Sequence, residues 1–224
     1  MPLPSFIIPV LNEADGIQRL LRALRSAFPG AQLLVVDGGS SDGTVELALP
    51  LCDQLLHCEP GRARQMNCGA AQARGDYFFF LHADSLPGIT AGQLQSVLDN
   101  GPEWGFCRIR LSGSEWRYAV ISRFMNWRSR LTGVSTGDQM QYVRADVFRQ
   151  VGGFDDIPLM EDVALSKRLR KQAPPRIIGQ PVLSSSRRWR ERGLVRTVFT
   201  MWWLRLAYFL GASPARLWRV YYGG

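Results

Sequence analysis

The 224-residue sequence is poor in the residues that build metal knots and disulfide frameworks. It has four cysteines, Cys52, Cys58, Cys68 and Cys107, none in a CxxC pair, and only two histidines. A structural zinc site needs four such ligands at paired spacings, so that reading is set aside, and the cysteine usage fits a reduced cytosol. The opening MPLPSFIIPVLNE lacks a basic region and has only a short apolar run before Asn12 and Glu13, so no signal peptide is expected. No internal repeat or low-complexity linker is found. What is present, 46% hydrophobic and 21% charged residues with 22 Gly and 13 Pro, suits a folded domain with a real core and excludes disordered, collagen-like and disulfide-scaffold classes.

Net charge is also missing from most of the chain. Residues 1–180 balance to +1, whereas residues 181–224 carry eight arginines against one acid, so almost all of the formal +8 sits in the tail. Arginine forks onto phosphate or carboxylate and stacks on aromatic rings, which leaves nucleic acid, anionic lipid or a phosphorylated substrate as partners of the tail. A nucleic-acid groove needs excess positive charge on the folded body, so nucleic acid is not expected.

Along the first hundred residues, short β-branched or aromatic runs alternate with helical patterns. Ser5–Val10, Leu33–Val36, a weak Gln54–His57 and Tyr77–Leu81 read as strands; Ala14–Ala27, a stretch from about Thr44, and Ala63–Arg74 read as helices. Continuous apolar strands in such alternation predict a mostly parallel sheet covered by helices on both faces. Ligands of these sheets bind beyond the carboxyl ends of the strands, which selects Pro9–Glu13, Asp37–Gly43 and His82–Asp84. Further on, Trp104–Leu111 and Met140–Val143 read as strands, Glu115–Leu131 and Asp162–Lys171 as helices, and two short strands are expected near Ile177 and Val182. The chain is expected to form one domain over residues 1–192 and an amphipathic helical tail over 193–224.

Three acidic places carry candidate chemistry. Asp37 ends a strand and opens DGGSSDGT, a glycine-rich turn into a helix, where Asp37 and Gly38 suit a nucleoside; an ordinary capped turn accounts for the same residues. Asp84 in His82-Ala83-Asp84 is a hard ligand of the kind that Mg²⁺ or Mn²⁺ takes beside a diphosphate, or else a helix cap. Glu161 and Asp162 stand at a helix start, where the helix dipole favours acids, and where a carboxylate can also act as a general base toward a hydroxyl. Arg62 and Arg64, just before a helix, can neutralise a diphosphate or simply be solvated.

Taken together, the ordered set IIPVLNE, VVDGGSSDGT, GRARQMNCGAAQARGD, FLHADS, GDQMQYVRADVFRQVGGFDD and LMEDVALSKRLR resembles the family 2 glycosyltransferases over about residues 4–171. It looks nearest to a small bacterial subgroup described as arsenosugar biosynthesis glycosyltransferase-like. The resemblance implies an α/β GT-A (Rossmann-like) fold with a C-terminal helical appendage. It also implies an inverting enzyme that moves a sugar from a nucleoside diphosphate donor to a small or lipid-linked acceptor. By the same resemblance Pro9, Val10, Asn12 and Glu13 line the nucleotide pocket with Ala83, and Asp37 contacts the base or ribose. Asp84 holds the metal, Asp162 is the base, and Glu161 supports it or contacts the acceptor. Asp138 and Gln139 are candidates for acceptor hydroxyls, and Arg188 and Trp189 for acceptor or diphosphate.

Two positions depart from the family pattern. His82 stands where the metal motif has its first carboxylate, which implies weaker metal affinity or a tilt toward Mn²⁺. Ser185 stands where processive members carry the Gln of QxxRW, which favours transfer of a single sugar. A sugar nucleotidyltransferase is the enzymatic alternative, but PVLNEADG lacks the G-x-G-T-R-like loop that it usually shows; an inactive membrane- or partner-binding module is the other.

In the tail, Leu194–Ala212 is apolar, yet Arg196 and Arg205 cost roughly +5 to +7 kcal/mol at a bilayer centre against roughly −2 to −5 for eight Leu, Val and Phe residues. Val195, Val198, Phe199, Trp202, Leu206, Phe209 and Leu210 form one helical stripe edged by those arginines. Such a stripe lies on a membrane surface, packs on its own domain or joins a second subunit. The expected location is cytoplasmic, peripheral at the inner face of the membrane.

Overall fold

The computed structural model describes residues 1–187, 190 and 193–222. Its centre is an eight-stranded sheet built from β1 (Pro4–Val10), β2 (Gln32–Asp37), β3 (Gln54–His57), β4 (Tyr77–Phe80), β5 (Ser85–Pro87), β6 (Trp104–Leu111), β7 (Gln141–Arg144) and β8 (Arg176–Ser184), in the order β3-β2-β1-β4-β7-β6-β8-β5. The first four strands run parallel. β7 is antiparallel to both β4 and β6, β8 runs parallel to β6, and β5 closes the far edge antiparallel to β8. The fold is an α/β GT-A fold with a mostly parallel, curled sheet.

Strand alternation divides the core into two layers. Phe6, Ile8, Val10, Leu33, Val35 and Phe79 face one side, where α1 (Ala14–Ala27) inserts Ile17, Leu20, Leu21 and Leu24. Ile7, Leu34, Val36, Phe78 and Phe80 face the other, against Met66 and Ala70 of α3 (Arg62–Gln72) and Phe148 of α6 (Ala145–Gln150). Burial on both faces is why these strands read as unbroken apolar runs. Gly69 brings α3 close to the sheet, since a Cβ there would stand 2.5 Å from Ile7 Cγ2.

Other elements are α2 (Thr44–Ala48), α4 (Ala91–Leu98), α5 (Trp116–Thr132), a 3₁₀ turn at Gly137–Gln139 and α7 (Glu161–Leu169). The two short strands expected near Ile177 and Val182 are one nine-residue strand, β8. Its register against β6 shifts between Cys107 and Arg108, beside Pro181, and that irregularity reads as a break. Ser85–Pro87 pairs as a strand with β8 rather than capping a helix.

The tail forms two helices, α8 (Leu194–Phe209) and α9 (Pro214–Tyr222), turned at Gly211, whose φ is +92°. They pack on the domain through Leu204, Leu217 and Tyr221 against Val134, Met160 and Val163. The expected apolar stripe faces outward: Phe199, Trp202, Leu206, Phe209 and Leu210 are all at least half exposed. α8 is apolar nearly all round, so a stripe on one face does not say which face is covered. Exposed Trp116, Val120, Trp127 and Leu131 of α5 add to the uncovered apolar surface. Among the described residues no helix is long and apolar enough to cross a membrane.

Candidate functional site

The first three parallel strands end on one side of the sheet, and their loops are tied to each other there. Asn12, at φ +55°, accepts on Oδ1 from Ser41 N (2.9 Å), and its own N–H donates to Ser40 Oγ (2.9 Å). The N–H groups of Glu13 and Ala14 donate to Thr44 Oγ1 and Asp42 Oδ2. Asp37 is buried, and its carboxylate accepts from Gly39 N (2.9 Å) and Ser40 N (3.0 Å), with His57 Nδ1 at 3.5 Å. Burial alone would raise its pKa; the bonds from Ser40, Gly39 and His57 outweigh burial and hold it below the ordinary carboxylate range. Gln65, buried in α3, donates from Nε2 to both Val10 O and Val36 O at 2.8 Å, so the ends of β1 and β2 are bolted together. Gly38 leaves room for that amide, since a Cβ would lie 3.1 Å from it.

A second corner forms where α7 begins. Met160, at φ +72°, turns the chain so that Glu161 and Asp162 open the helix. Asp162 Oδ2 accepts from Gly137 N at 2.6 Å and Oδ1 from its neighbour Val163 N at 2.7 Å, which fixes the plane of the carboxylate. His82 Nδ1 stands 3.5 Å from Asp138 Oδ1, and a Cβ on Gly137 would be 2.6 Å from the imidazole. Arg62, Met201, Arg205, Tyr221 and Tyr222 complete a small cavity of about 90 Å³ around these groups. Burial pushes both Glu161 and Asp162 above the ordinary carboxylate range. For Glu161 the Asp162 charge adds to burial while Arg62 and His82 oppose it; for Asp162 the two amides and Arg62 oppose burial and Asp138 adds to it. Burial lowers the Arg62 pKa, but Glu161, Tyr222, Asp138 and Asp162 outweigh it. A carboxylate so placed is a base that holds a proton more readily than an ordinary one.

Glu161, Asp162, His82, Asp138 and Arg62 thus share one cavity, and Pro9, Val10, Asn12, Glu13, Asp37 and Gly38 share the strand-end corner. Other expected residues fall elsewhere. Arg64 is turned away, paired with Asp156 (2.9 Å) and Glu59 (2.9 Å) at the surface. Gln139 does not face an acceptor. It is fully buried and its Oε1 accepts from Ser129 Oγ (2.8 Å) and Thr136 N (3.1 Å), so it braces the 3₁₀ turn. Ala83 packs its side chain into the core, leaving only backbone for a ligand. Asp84 is half-buried with Ser85 Oγ at 3.2 Å and does not line the carboxylate cavity. Arg188 and Trp189 lie outside the described residues. Arg187, from the arginine run, reaches Glu13 at 3.9 Å. The sequence reading missed Gln65, Met201, Tyr221 and Tyr222; the buried amide had no signal, and the others needed the tail to fold back.

Among the described residues no three His, Cys, Asp or Glu side chains form a closed metal cage. A Mg²⁺ or Mn²⁺ ion shared with a diphosphate does not require one, because it keeps waters and phosphate oxygens as ligands. His82 and Asp138, 3.5 Å apart in this cavity, offer one imidazole and one carboxylate of the kind such an ion takes, while Asp84, two residues on, stands outside the cavity.

Comparison with known proteins adds to this geometry. The family model described as glycosyl transferase family 2 matches residues 5–142. An uncharacterized glycosyltransferase of Mycobacterium tuberculosis is 30% identical over 174 residues, covering 69% of this chain and 63% of that protein. The pre-mycofactocin glycosyltransferase of the same organism is 31% identical over 189 residues, 74% of this chain and 38% of that one. The chain therefore spans less than two thirds of the length of these relatives. Among solved structures, a mannosyltransferase from Pyrobaculum calidifontis in complex with GDP-Man and Mn²⁺ superposes with a TM-score of 0.65 at 21% identity, covering 92% of this chain and 61% of that one. Staphylococcus aureus TarS 1–349 in complex with UDP-GlcNAc gives 0.66 at 15% identity, covering 84% and 59%. At such identities these likenesses speak for the fold.

Proposed function

We propose that this chain, which belongs to glycosyl transferase family 2, moves a single sugar from a nucleoside diphosphate donor to a hydroxyl-bearing acceptor with inversion at the anomeric carbon. The observation that carries the finer reading is Asp162, a buried carboxylate of raised pKa, fixed by two backbone amides inside a cavity that also holds Glu161 and Arg62. In a single displacement the acceptor oxygen bonds to the anomeric carbon, its proton passes to Asp162, and the bond to the diphosphate breaks with its electron pair leaving on the diphosphate. Burial and the Asp138 charge hold Asp162's pKa up and so keep it basic.

The nucleotide lies against Pro9–Glu13 and the Asp37–Gly43 loop, with Asp37 setting the loop that meets the base or ribose. Arg62 faces the diphosphate. A divalent ion, Mn²⁺ or Mg²⁺, would be held through Asp84 and His82 and would supply further positive charge to the leaving group. Ser185, in place of the processive glutamine, favours release after one transfer. The placement in the arsenosugar-like subgroup rests on the quoted motifs. Residues 1–192 form the catalytic body, and the helices after residue 193 close its pocket.

The outer face of those helices suits an anionic lipid surface at the inner side of a membrane. It carries exposed Phe199, Trp202, Trp203, Leu206, Phe209 and Leu210 beside exposed Arg187, Arg190 and Arg196. Sedimentation with anionic vesicles and not with neutral ones is the expected result; a dimer in solution with no vesicle binding counts against it.

The catalytic reading is tested by assaying UDP-, GDP- and dTDP-sugars with Mn²⁺ for thermal stabilisation, donor hydrolysis and transfer, in the wild type and in Asp162→Asn. A donor at 100 times its Kd should add about 2.7 kcal/mol. Full activity of Asp162→Asn sinks the assignment of the base.

A further inference from the structure

Between α5 and α8 runs a cavity of about 310 Å³, within the size range of small-molecule sites. Ile121, Phe124 and Met125 form one wall and Val198, Met201 and Trp202 the other; Phe124 and Trp202 stack with ring centroids 5.0 Å apart. Four polar residues, Arg128, Asp138, Thr197 and Arg205, also line it. Asp138, Met201 and Arg205 line the carboxylate cavity too, so the groove and the candidate catalytic site share a boundary. Arg128 Nη2 donates to Ser129 Oγ at 2.7 Å, while its Nε is buried with no hydrogen-bond partner among the described residues. A buried N–H left unpaired is costly, and an incoming oxygen would relieve it.

We propose that the acceptor is an amphiphilic alcohol: its apolar body occupies the groove between α5 and α8, and its hydroxyl end passes Arg128 and Asp138 to reach Asp162. This rests on the glycosyl-transfer reading and names the acceptor class for it. A sugar or other fully polar acceptor has no use for an apolar groove that opens onto the catalytic carboxylates. A phosphate-headed lipid fits worse than an alcohol. Its oxygens are already deprotonated at neutral pH and need no base, and they would meet Asp138, Glu161 and Asp162. An alcohol brings the proton that Asp162 is placed to take, and its oxygen can accept from Arg128 Nε–H.

The test is a chain-length series of methyl, hexyl and octyl β-D-glucopyranosides below their micelle concentrations, with binding read from tryptophan fluorescence and transfer assayed in parallel. Each buried methylene should tighten binding about two- to fourfold. Val198→Trp, which fills the groove, should abolish that slope while leaving the far-UV spectrum unchanged. Phe199→Ser, on the exposed face of α8, should keep the slope. A flat series in the wild type overturns the proposal without needing any variant, and so does a slope that survives Val198→Trp but vanishes in Phe199→Ser. Transfer to methyl glucoside with a flat series sinks the groove alone; a steep series with no transfer from any donor sinks the catalytic reading and leaves a ligand groove.

Discussion

Asp37 and the Glu161–Asp162 pair are both acids withdrawn from water at the mouth of the same sheet, yet they differ in the direction of their titration. At Asp37 two backbone amides of the following loop and His57 point at one carboxylate, and donors outweigh burial. At the pair, two acids share one cavity, and burial prevails over the donors and Arg62. Burial acts in the same sense in both corners. What differs is how many donors each charge receives and whether a second charge stands beside it. The first arrangement locks a loop in one shape; the second keeps a proton acceptor poised.

The sharpest way to break this contrast is Asp162→Asn. It should lower transfer about 10²- to 10⁴-fold, as loss of a general base does, with a smaller loss of thermal stability, since the Asn oxygen still accepts from one of the two amides, measured by initial rates and melting temperature. Asp37→Ala should do the reverse. Leaving the Gly39 and Ser40 amides without their acceptor should cost about 1–3 kcal/mol of stability, or roughly 2–4 °C of Tm per kcal/mol, read by calorimetry.

The smallest effect is in pH dependence. Asp37, with a lowered folded pKa, contributes stability that is present above the ordinary carboxylate range and is lost as pH falls through its folded value. Glu161 and Asp162, with raised values, contribute stability that is complete below that range and fades as pH rises through their folded values. Glu161→Gln should therefore raise Tm at neutral pH by a few degrees. Asp138→Asn should move the ascending limb of the transfer rate to lower pH, because Asp162 loses a neighbouring charge. A limb that does not move removes the electrostatic role given to Asp138.

Much of the parallel half was legible because its residues speak locally. β1, β2 and β4 are largely continuous apolar runs, Ala14–Ala27 has a clean apolar face, and DGGSSDGT names a turn. The second half was less so. β8 is interrupted by Pro181 and reads as two pieces, and α4 and α6 were not anticipated. The same division holds for the site. Arg62 and Arg64 are equivalent in sequence, but only the first faces the cavity, because Asp156, 92 residues away, draws the second outward. Gln139 looks like a surface polar residue beside an acidic turn, and only the partners Ser129 and Thr136 show that its amide is structural. A side chain's destination depends on partners far off in sequence, which periodicity does not carry.

The helical wall over the carboxylates has a consequence in the order of synthesis. The strand-end corner is complete once the chain has passed Gln65 and β4, and the carboxylates arrive with Glu161 and Asp162. Met201, Arg205, Tyr221 and Tyr222 come later still. The nascent chain thus acquires its strand-end corner early and its enclosure late, so the Glu161–Asp162 carboxylates are sheltered from water only after the sheet beneath them has folded.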